Sequence, residues 1–159
     1  MKIGTKGHYA VAAMMELAKK IDLKRPTPLS ALSIDQAISV HYLELLFIKL
    51  KKAGLVKSIR GAHGGYLLMK PASQISIYDI IVAVGEKVRV TRCENSSLSS
   101  CFNQTEKCAL HALWGGLDQQ IYDYLIHISL QCLLDRAFLP QHRLLKMAKE
   151  VPTYKTNCF

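Results

Sequence analysis

The chain has 159 residues, half of them apolar, which is enough for one domain or for a small domain with an extension. It contains no run of about 18 or more apolar residues, so the sequence predicts no transmembrane helix and no membrane partner. The net charge of +9 comes mainly from residues 1–90, which hold 14 Lys and Arg against 6 Asp and Glu, whereas residues 91–159 hold 7 against 6. A polyanionic partner is therefore expected for the N-terminal part, although a merely basic surface would give the same charge.

Three helices are predicted in the first third of the chain. Residues 7–20 have the apolar spacing of a helix, and the prolines of the loop 22–28 end it. A short second helix is expected over 29–37, followed by a stronger third helix that begins at its candidate N-cap, Ser39, and ends at Gly54. The apolar stripe of the third helix consists of Leu43, Leu46, Phe47 and Leu50.

Two short β-type runs follow, LVKSI and YLLM, and they flank the segment RGAHGG. This pattern predicts a hairpin with a glycine-rich tip that carries Arg60, Gly61 and His63. A helix, a helix-turn-helix and a basic hairpin, in this order, are typical of a winged helix-turn-helix DNA-binding domain. The predicted fold class is therefore mainly α with a small β-hairpin wing, and the predicted partner is a double-stranded DNA operator.

Two further helices are predicted downstream of the hairpin. Residues 76–86 are expected to form a linker helix with Ser76 as its cap, and residues 107–134 a long amphipathic helix that Gly115 and Gly116 weaken locally. The apolar stripe of the long helix is more than a small domain covers easily, so we expect it to pair in a homodimer. Packing onto its own domain is the alternative. The tail 135–159 has mixed charge and is expected to be a loose helix or disordered.

A cluster of metal-ligating residue types lies between these two helices, with the spacing C-x7-C-x6-C-x2-H. Its members are Cys93, Cys101, Cys108 and His111. Thiolates and imidazole are ligands for soft metals and for iron–sulfur clusters, and Cys108 and His111 would share one helix face. Disulfides and buried apolar cysteines are the alternatives. The start MKIGTKGHYA lacks an apolar signal segment, so a reducing cytoplasm is expected, which argues against disulfides. Spacing alone leaves zinc and iron–sulfur both open.

The predicted DNA contacts come from the first helix, the third helix and the hairpin. They are Lys6, His8, Ser39, His41, Tyr42, Glu44, Lys49, Lys51, Lys52, Arg60, Gly61 and His63. Glu44 is expected to accept a hydrogen bond from cytosine and to repel phosphate, unless it is only a first-turn acid that the helix dipole favours. The lysines are candidates for phosphate contacts or for a solvated helix face, and Arg60 is the best candidate for a minor-groove contact.

The chain resembles the IscR-type bacterial transcription regulators that carry a [2Fe–2S] cluster. The resemblance covers about residues 1–134 and is carried by TKGHYAVAAM, SVHYLELLFIKLKKAGLV, RGAHGGYLL, TRC and KCALHALW. It implies a winged helix with a long dimerisation helix, and regulation of iron–sulfur cluster assembly genes by cluster occupancy. It also implies that the cluster ligands are Cys93, Cys101, Cys108 and His111.

Two features depart from the pattern of these regulators. The gaps between the cysteines, of seven and six residues, are longer than usual, but added loop length costs little entropy, so the site is still expected to close. At the third helix, Leu45 stands where an amide is usual and His41 replaces a serine. A leucine cannot make a bidentate contact to adenine, so the preferred operator is expected to differ.

The sequence therefore predicts four regions. They are a winged helix-turn-helix domain with its linker helix at 1–90, a cluster-binding loop at 91–111, a dimerisation helix at 107–134 and a tail at 135–159. The predicted function is a bacterial, cytoplasmic transcription regulator that senses iron–sulfur cluster status. The alternative is a zinc-stabilised DNA-binding protein without a sensing role. An enzyme is not expected, since the sequence shows no convincing catalytic base with its orienting group and no nucleotide-binding motif.

Overall fold

A computed structural model of the chain describes residues 4–20, 26–61, 63–90 and 109–135, with side chains described from Leu113 onward in the last range. Within these residues the chain forms helices and one antiparallel two-stranded sheet. In chain order the elements are α1 Thr5–Lys19, α2 Leu29–Gln36, α3 Val40–Lys52, β1 Val56–Ile59, β2 Gly65–Leu68, a 3-10 turn Ala72–Gln74, α4 Ile77–Ala83, α5 Ala109–Ile126 and α6 Leu130–Leu134. The prediction of a mainly α fold with a small β-hairpin is confirmed.

Helices α2 and α3 form the predicted helix-turn-helix. They bend by 116° across the turn at 37–39, within the range of about 90–120° that is typical of this motif. Ala37 adopts the left-handed backbone conformation, with φ of 51°, which ends α2 sharply. Ser39 then caps α3, because its hydroxyl oxygen accepts a hydrogen bond from the Tyr42 backbone N–H at 3.3 Å. The prediction of Ser39 as the N-cap is confirmed.

Within the described residues, no single helix is long and apolar enough to cross a membrane. Length and composition alone would admit one bent pair of helices, α2 with α3.

The core lies between α1, α3 and α4, and the hairpin and α6 pack against it. The predicted apolar stripe of α3 is fully or almost fully buried, as an amphipathic helix on a core requires. The largest fully buried side chains are Phe47, Met14, Leu17, Leu32, Leu43, Leu50, Ile75, Ile80, Leu130, Val56 and Val84. This core fixes the orientation of α3, so its opposite face points outward.

The hairpin is anchored by a short backbone pairing in addition to its own strands. Thr27, in the segment predicted as a loop, exchanges two hydrogen bonds with Tyr66 of β2, at 3.0 and 2.8 Å. The chains approach so closely that a Cβ at Gly65 would lie 2.4 Å from the Thr27 carbonyl, so only glycine fits there. The Tyr66 side chain also contacts α3, because its ring meets the Phe47 ring edge to face, with ring centroids 4.7 Å apart. The hairpin is thereby held against α3.

The prediction of one helix over 107–134 was wrong at its C-terminal end, because the chain leaves the helix at His127–Ser129 and starts α6. Two backbone hydrogen bonds to the start of α4 cause the break: Ile77 N–H donates to the Ile128 carbonyl at 2.9 Å, and Leu130 N–H donates to the Ile75 carbonyl at 2.8 Å. These replace helical bonds, and the Ser129 hydroxyl caps the new helix. Helix α6 packs against α1 and so belongs to the core of the winged helix.

Candidate nucleic-acid interface

The outward face of α3 is formed by residues at helical spacing on the side opposite the core. His41, Leu45, Ile48 and Lys52 share this face, and all four are exposed. Glu44 lies at its edge, with its Oε2 3.7 Å from His41 Nδ1. Helix α3 is the second helix of the helix-turn-helix, the one that enters the major groove in DNA-binding domains of this kind. We call these five residues the reading face.

Two other residues at the start of α3 have structural partners. The Ser39 side chain caps the helix, and the half-buried Tyr42 ring packs edge to face on Tyr9 of α1, with centroids 5.9 Å apart. The Tyr9 ring also lies 5.8 Å from the ring of His8. These contacts bring the start of α1, with exposed Lys6 and His8, beside the start of α3. The predicted backbone contacts of α1 are thus placed next to the predicted reading helix.

The three lysines of α3 differ in their surroundings. Lys49 Nζ donates a hydrogen bond to the Val84 carbonyl at the end of α4, at 3.0 Å, and Lys51 Nζ donates to the Ser58 hydroxyl of β1, at 2.7 Å. Lys52 is exposed on the reading face, and the structure shows no such partner for it within the described residues. Lys49 therefore joins α3 to α4, which favours a structural role over a phosphate contact, whereas Lys52 is placed for phosphate.

Lys49→Met is expected to affect mainly stability, and Lys52→Met mainly the salt dependence of DNA binding. Lys49→Met removes the bond to Val84 and should lower the free energy of unfolding by about 0.5–1.5 kcal/mol, with little change in the salt dependence of DNA binding. Lys52→Met should leave stability within about 0.5 kcal/mol and reduce the slope of log affinity against log salt by about one. Urea denaturation and fluorescence anisotropy over a salt series measure both quantities. A reduced slope for Lys49→Met would assign it to phosphate instead.

The tip of the hairpin carries the remaining predicted contacts. Arg60, Gly61 and His63 are all exposed. Gly61 has a φ of 120°, in the region that favours glycine, so the sharp turn at the tip depends on that residue. The structure thus places a cation and an imidazole at the end of a hairpin whose base is fixed to α3, the arrangement expected for a wing beside the recognition helix.

The comparison with known proteins identifies the family of the chain. Residues 3–136 match the Rrf2 family, described as iron-dependent transcriptional regulators. The chain belongs to the Rrf2 family. The HTH-type transcriptional regulator IscR of Photorhabdus laumondii is 44% identical over 135 residues, which are 85% of this chain and 80% of that protein.

Solved structures agree with this assignment. The structure of CymR, the global cysteine regulator of B. subtilis, is 34% identical with a TM-score of 0.71 and covers 86% of this chain and 98% of its own. The structure of T. potens IscR is 34% identical with a TM-score of 0.69 and covers 89% of this chain and 91% of its own. This Rrf2 chain is a DNA-binding transcription regulator of the IscR type, and its relatives are regulators rather than enzymes, as predicted.

The candidate metal ligands of this Rrf2 regulator lie outside the described residues: Cys93, Cys101 and Cys108 fall in the gap 91–108, and the His111 side chain is not described. Among the residues that are described, no group of three His, Cys, Asp or Glu is placed to hold a metal ion. The structure does describe both ends of the gap. Val90 N–H donates to the Asp118 carboxylate of α5 at 2.6 Å, and α5 itself begins at Ala109.

Sequence reasoning placed Leu45 at a base-contacting position but missed Ile48 beside it and the partner of Lys49. Leu45 and Ile48 are exposed on the reading face although both are large and apolar. The signal was present, because both fall outside the stripe that buries Leu43 and Leu46. The bond from Lys49 to Val84 has no signature in the sequence, since it joins positions 35 residues apart.

Proposed function

We propose that this Rrf2 regulator senses iron–sulfur cluster status and binds its DNA operator as a homodimer. The observation that carries the proposal is the position of the cysteine segment. Both of its ends are attached to α5, one through Ala109 and the other through the bond from Val90 to Asp118. Nine residues of helix separate these points, about 14 Å at a rise of about 1.5 Å per residue. A segment whose two ends are held about 14 Å apart on one helix has less conformational freedom to lose, which lowers the entropy cost of gathering its ligands around one site.

The donor set fits a [2Fe–2S] cluster. Three thiolates and one imidazole match the sulfur and nitrogen ligation of such centres, and Cys93, Cys101, Cys108 and His111 would supply them. A bound cluster would supply a group whose presence depends on iron supply and redox conditions. The resemblance to IscR-type regulators supports iron–sulfur cluster assembly genes as the targets and the bacterial cytoplasm as the site of action. The same donors are also compatible with structural zinc, the alternative that the experiment must separate.

The described residues provide a physical connection from the segment to the reading face. Helix α5 packs on α4, where Tyr122 and Tyr78 meet edge to face with centroids 4.7 Å apart. The end of α4 is bonded to α3 through the Val84 carbonyl and Lys49. We propose that ordering of the segment on α5 biases α3 through these contacts. The protein would then have two states that differ in DNA affinity. Cluster binding can change the DNA affinity only as far as the cluster binds more tightly to one state than to the other.

The dimer is supported by the two sides of α5. One side, with Tyr122 and Leu125, packs on the regulator's own domain. Leu113 and Leu117 lie on the other side, 61% and 41% exposed, and Trp114 next to them is 36% exposed. Packing on its own domain thus accounts for one face of the helix, and we propose that the exposed face pairs in the dimer. Helix-turn-helix regulators read two half-sites as dimers, which suits a symmetric pairing through this exposed face.

Metal and sulfide analysis of anaerobically purified protein tests the cluster. We expect a reddish-brown protein with visible absorption and about two irons and two acid-labile sulfides per chain. Cys101→Ala should lose most of the iron and most of the sulfide, because the three remaining ligands hold a cluster poorly. Cys132→Ser is the matched control. Cys132 lies in α6, half-buried beside the capping residue Ser129, so its replacement should leave the cluster content unchanged.

Two other outcomes would contradict the proposal, one for the cluster itself and one for its ligands. A colourless protein with about one zinc per chain that unfolds on addition of chelator would establish the structural-zinc alternative. Equal cluster content in Cys101→Ala and in the unmodified protein would show that the ligands are other residues. DNA binding with and without the cluster, measured on the same preparation, then tests the sensing step.

A further inference from the structure

Of the three large apolar side chains exposed on α3, two lie on the reading face, where the fold gives them no role. Leu45 is 49% exposed and Ile48 is 60% exposed. Both lie on the reading face, opposite the buried stripe, so they add nothing to the core. Exposed single apolar residues are common, but two that are adjacent on one helix face, at i and i+3, form a continuous apolar strip.

The neighbours of this strip indicate what covers it. His41 precedes it and Lys52 follows it on the same face, both exposed, and exposed Arg60 lies at the tip of the hairpin fixed to α3. Residues 1–90 carry a balance of +8, with 14 basic and 6 acidic residues. An apolar strip on the same domain as the cations Lys52 and Arg60 suits a polyanion that also presents apolar groups. Double-stranded DNA has this character, because thymine displays a C5 methyl group in the major groove.

We propose that Leu45 and Ile48 read thymine by contacting its 5-methyl group. The proposal rests on α3 being the helix that enters the major groove. Neither side chain donates or accepts a hydrogen bond, so opposite guanine or adenine they would leave the polar base edge without a partner. Opposite thymine, each would remove a methyl group and its own apolar surface from water. The strip therefore selects for thymine and, through the missing methyl group, against cytosine.

Glu44 complements this selection from the edge of the same face. Its carboxylate can accept a hydrogen bond only from a base that offers a donor, such as the amino group of cytosine or adenine. One face thus combines an acceptor with an apolar strip. We expect thymines at one or two positions per half-site, next to a position with an amino group in the major groove.

Replacement of thymine by uracil in the DNA tests the contact, because the two bases differ only by the 5-methyl group. Operators are first selected from a random double-stranded library with the intact chain at one salt concentration. Each thymidine is then replaced in turn by deoxyuridine, and the affinity of the protein for each operator is measured by fluorescence anisotropy. We expect about a fourfold loss at one or two thymines per half-site, the effect of one buried methyl group. Leu45→Ala and Ile48→Ala should each lose the sensitivity at one of these positions.

Val82→Ala is the matched control, since Val82 is 45% exposed on α4 and lies outside the reading face; it should keep the full sensitivity. Thermal unfolding checks that all variants fold. If no thymine is sensitive, or if Leu45→Ala and Ile48→Ala keep the sensitivity, the methyl contact is wrong while DNA binding stands. If Glu44→Ala, Leu45→Ala and Ile48→Ala all select the same operator as the intact chain, α3 does not read the groove and the underlying placement fails. If no sequence is enriched, specific DNA binding itself fails.

Discussion

Replacement of Phe47 by alanine is expected to lower the free energy of unfolding by about 3–5 kcal/mol, a large part of the roughly 5–15 kcal/mol that stabilises a typical domain. The Phe47 side chain has no exposed surface and lies between the helices of the core and the hairpin. Its removal leaves a cavity and deletes the edge-to-face contact with Tyr66. The loss therefore falls on the contact that holds the wing to the recognition helix.

Urea denaturation measures this effect, and Leu45→Ala is its control on the same helix. Leu45 is half exposed on the reading face, so its truncation should change stability by less than about 1 kcal/mol. Phe47→Leu should retain much of the stability, because most of the volume is kept. Equal losses for Phe47→Ala and Leu45→Ala would mean that the two faces of α3 are not arranged as described. DNA affinity of the folded fraction should also fall, since the wing is released.

The parts of the fold that the sequence predicted depend on local chemistry. The stripe of α3 repeats at helical spacing, and Ser39 and Ser76 each have a side-chain oxygen suited to cap the helix that follows them. The hairpin is marked by glycines, one of which, Gly61, takes a φ that other residues avoid. In these places each residue's preference agrees with its final environment, so a short window of sequence carries enough information.

The parts that were not predicted depend on contacts between distant segments. The run from Leu125 to Leu130 continues its helical apolar spacing without glycine or proline, yet backbone bonds to Ile75 and Ile77 interrupt the helix there. Thr27 lies in a proline-bounded loop, yet it pairs with Tyr66. Here a tertiary backbone bond outweighs a local helical preference, which is weak for any single residue.

The candidate site divides in the same way. Residue types and spacing predicted the four metal ligands, and donor chemistry narrows the occupant to an iron–sulfur cluster or zinc without choosing between them. On the third helix the sequence already placed Leu43 and Leu46 in the buried stripe and Leu45 at a base-contacting position, but it did not single out Ile48, whose 60% exposure the structure shows. A functional apolar residue on a DNA-facing helix has the same letter as a core residue, and only its side of the helix separates them.

The double substitution Leu113→Gln with Leu117→Gln is expected to convert the proposed dimer to a monomer. Both residues are exposed on the side of α5 away from its own domain, so glutamine there should not disturb the fold. Glutamine is a good helix former and carries no charge, so neither the helix nor the electrostatic attraction to DNA changes. Sedimentation equilibrium gives the mass. Val82→Gln, on α4 with 45% exposure, is the matched control and should remain a dimer.

The loss of the dimer should lower affinity for a full operator by about 10²–10⁴-fold. In the dimer, binding of one half-site holds the second domain close to the other half-site, and this effective concentration supplies the gain without any new contact. Affinity for a single half-site should be nearly equal for the variant and the unmodified chain, because the reading face and the wing are intact in both. A double variant that still forms a dimer would assign the interface to another surface. A monomer that binds the full operator as tightly as the unmodified chain would show that one reading face is sufficient, and the proposed two-fold recognition would then be wrong.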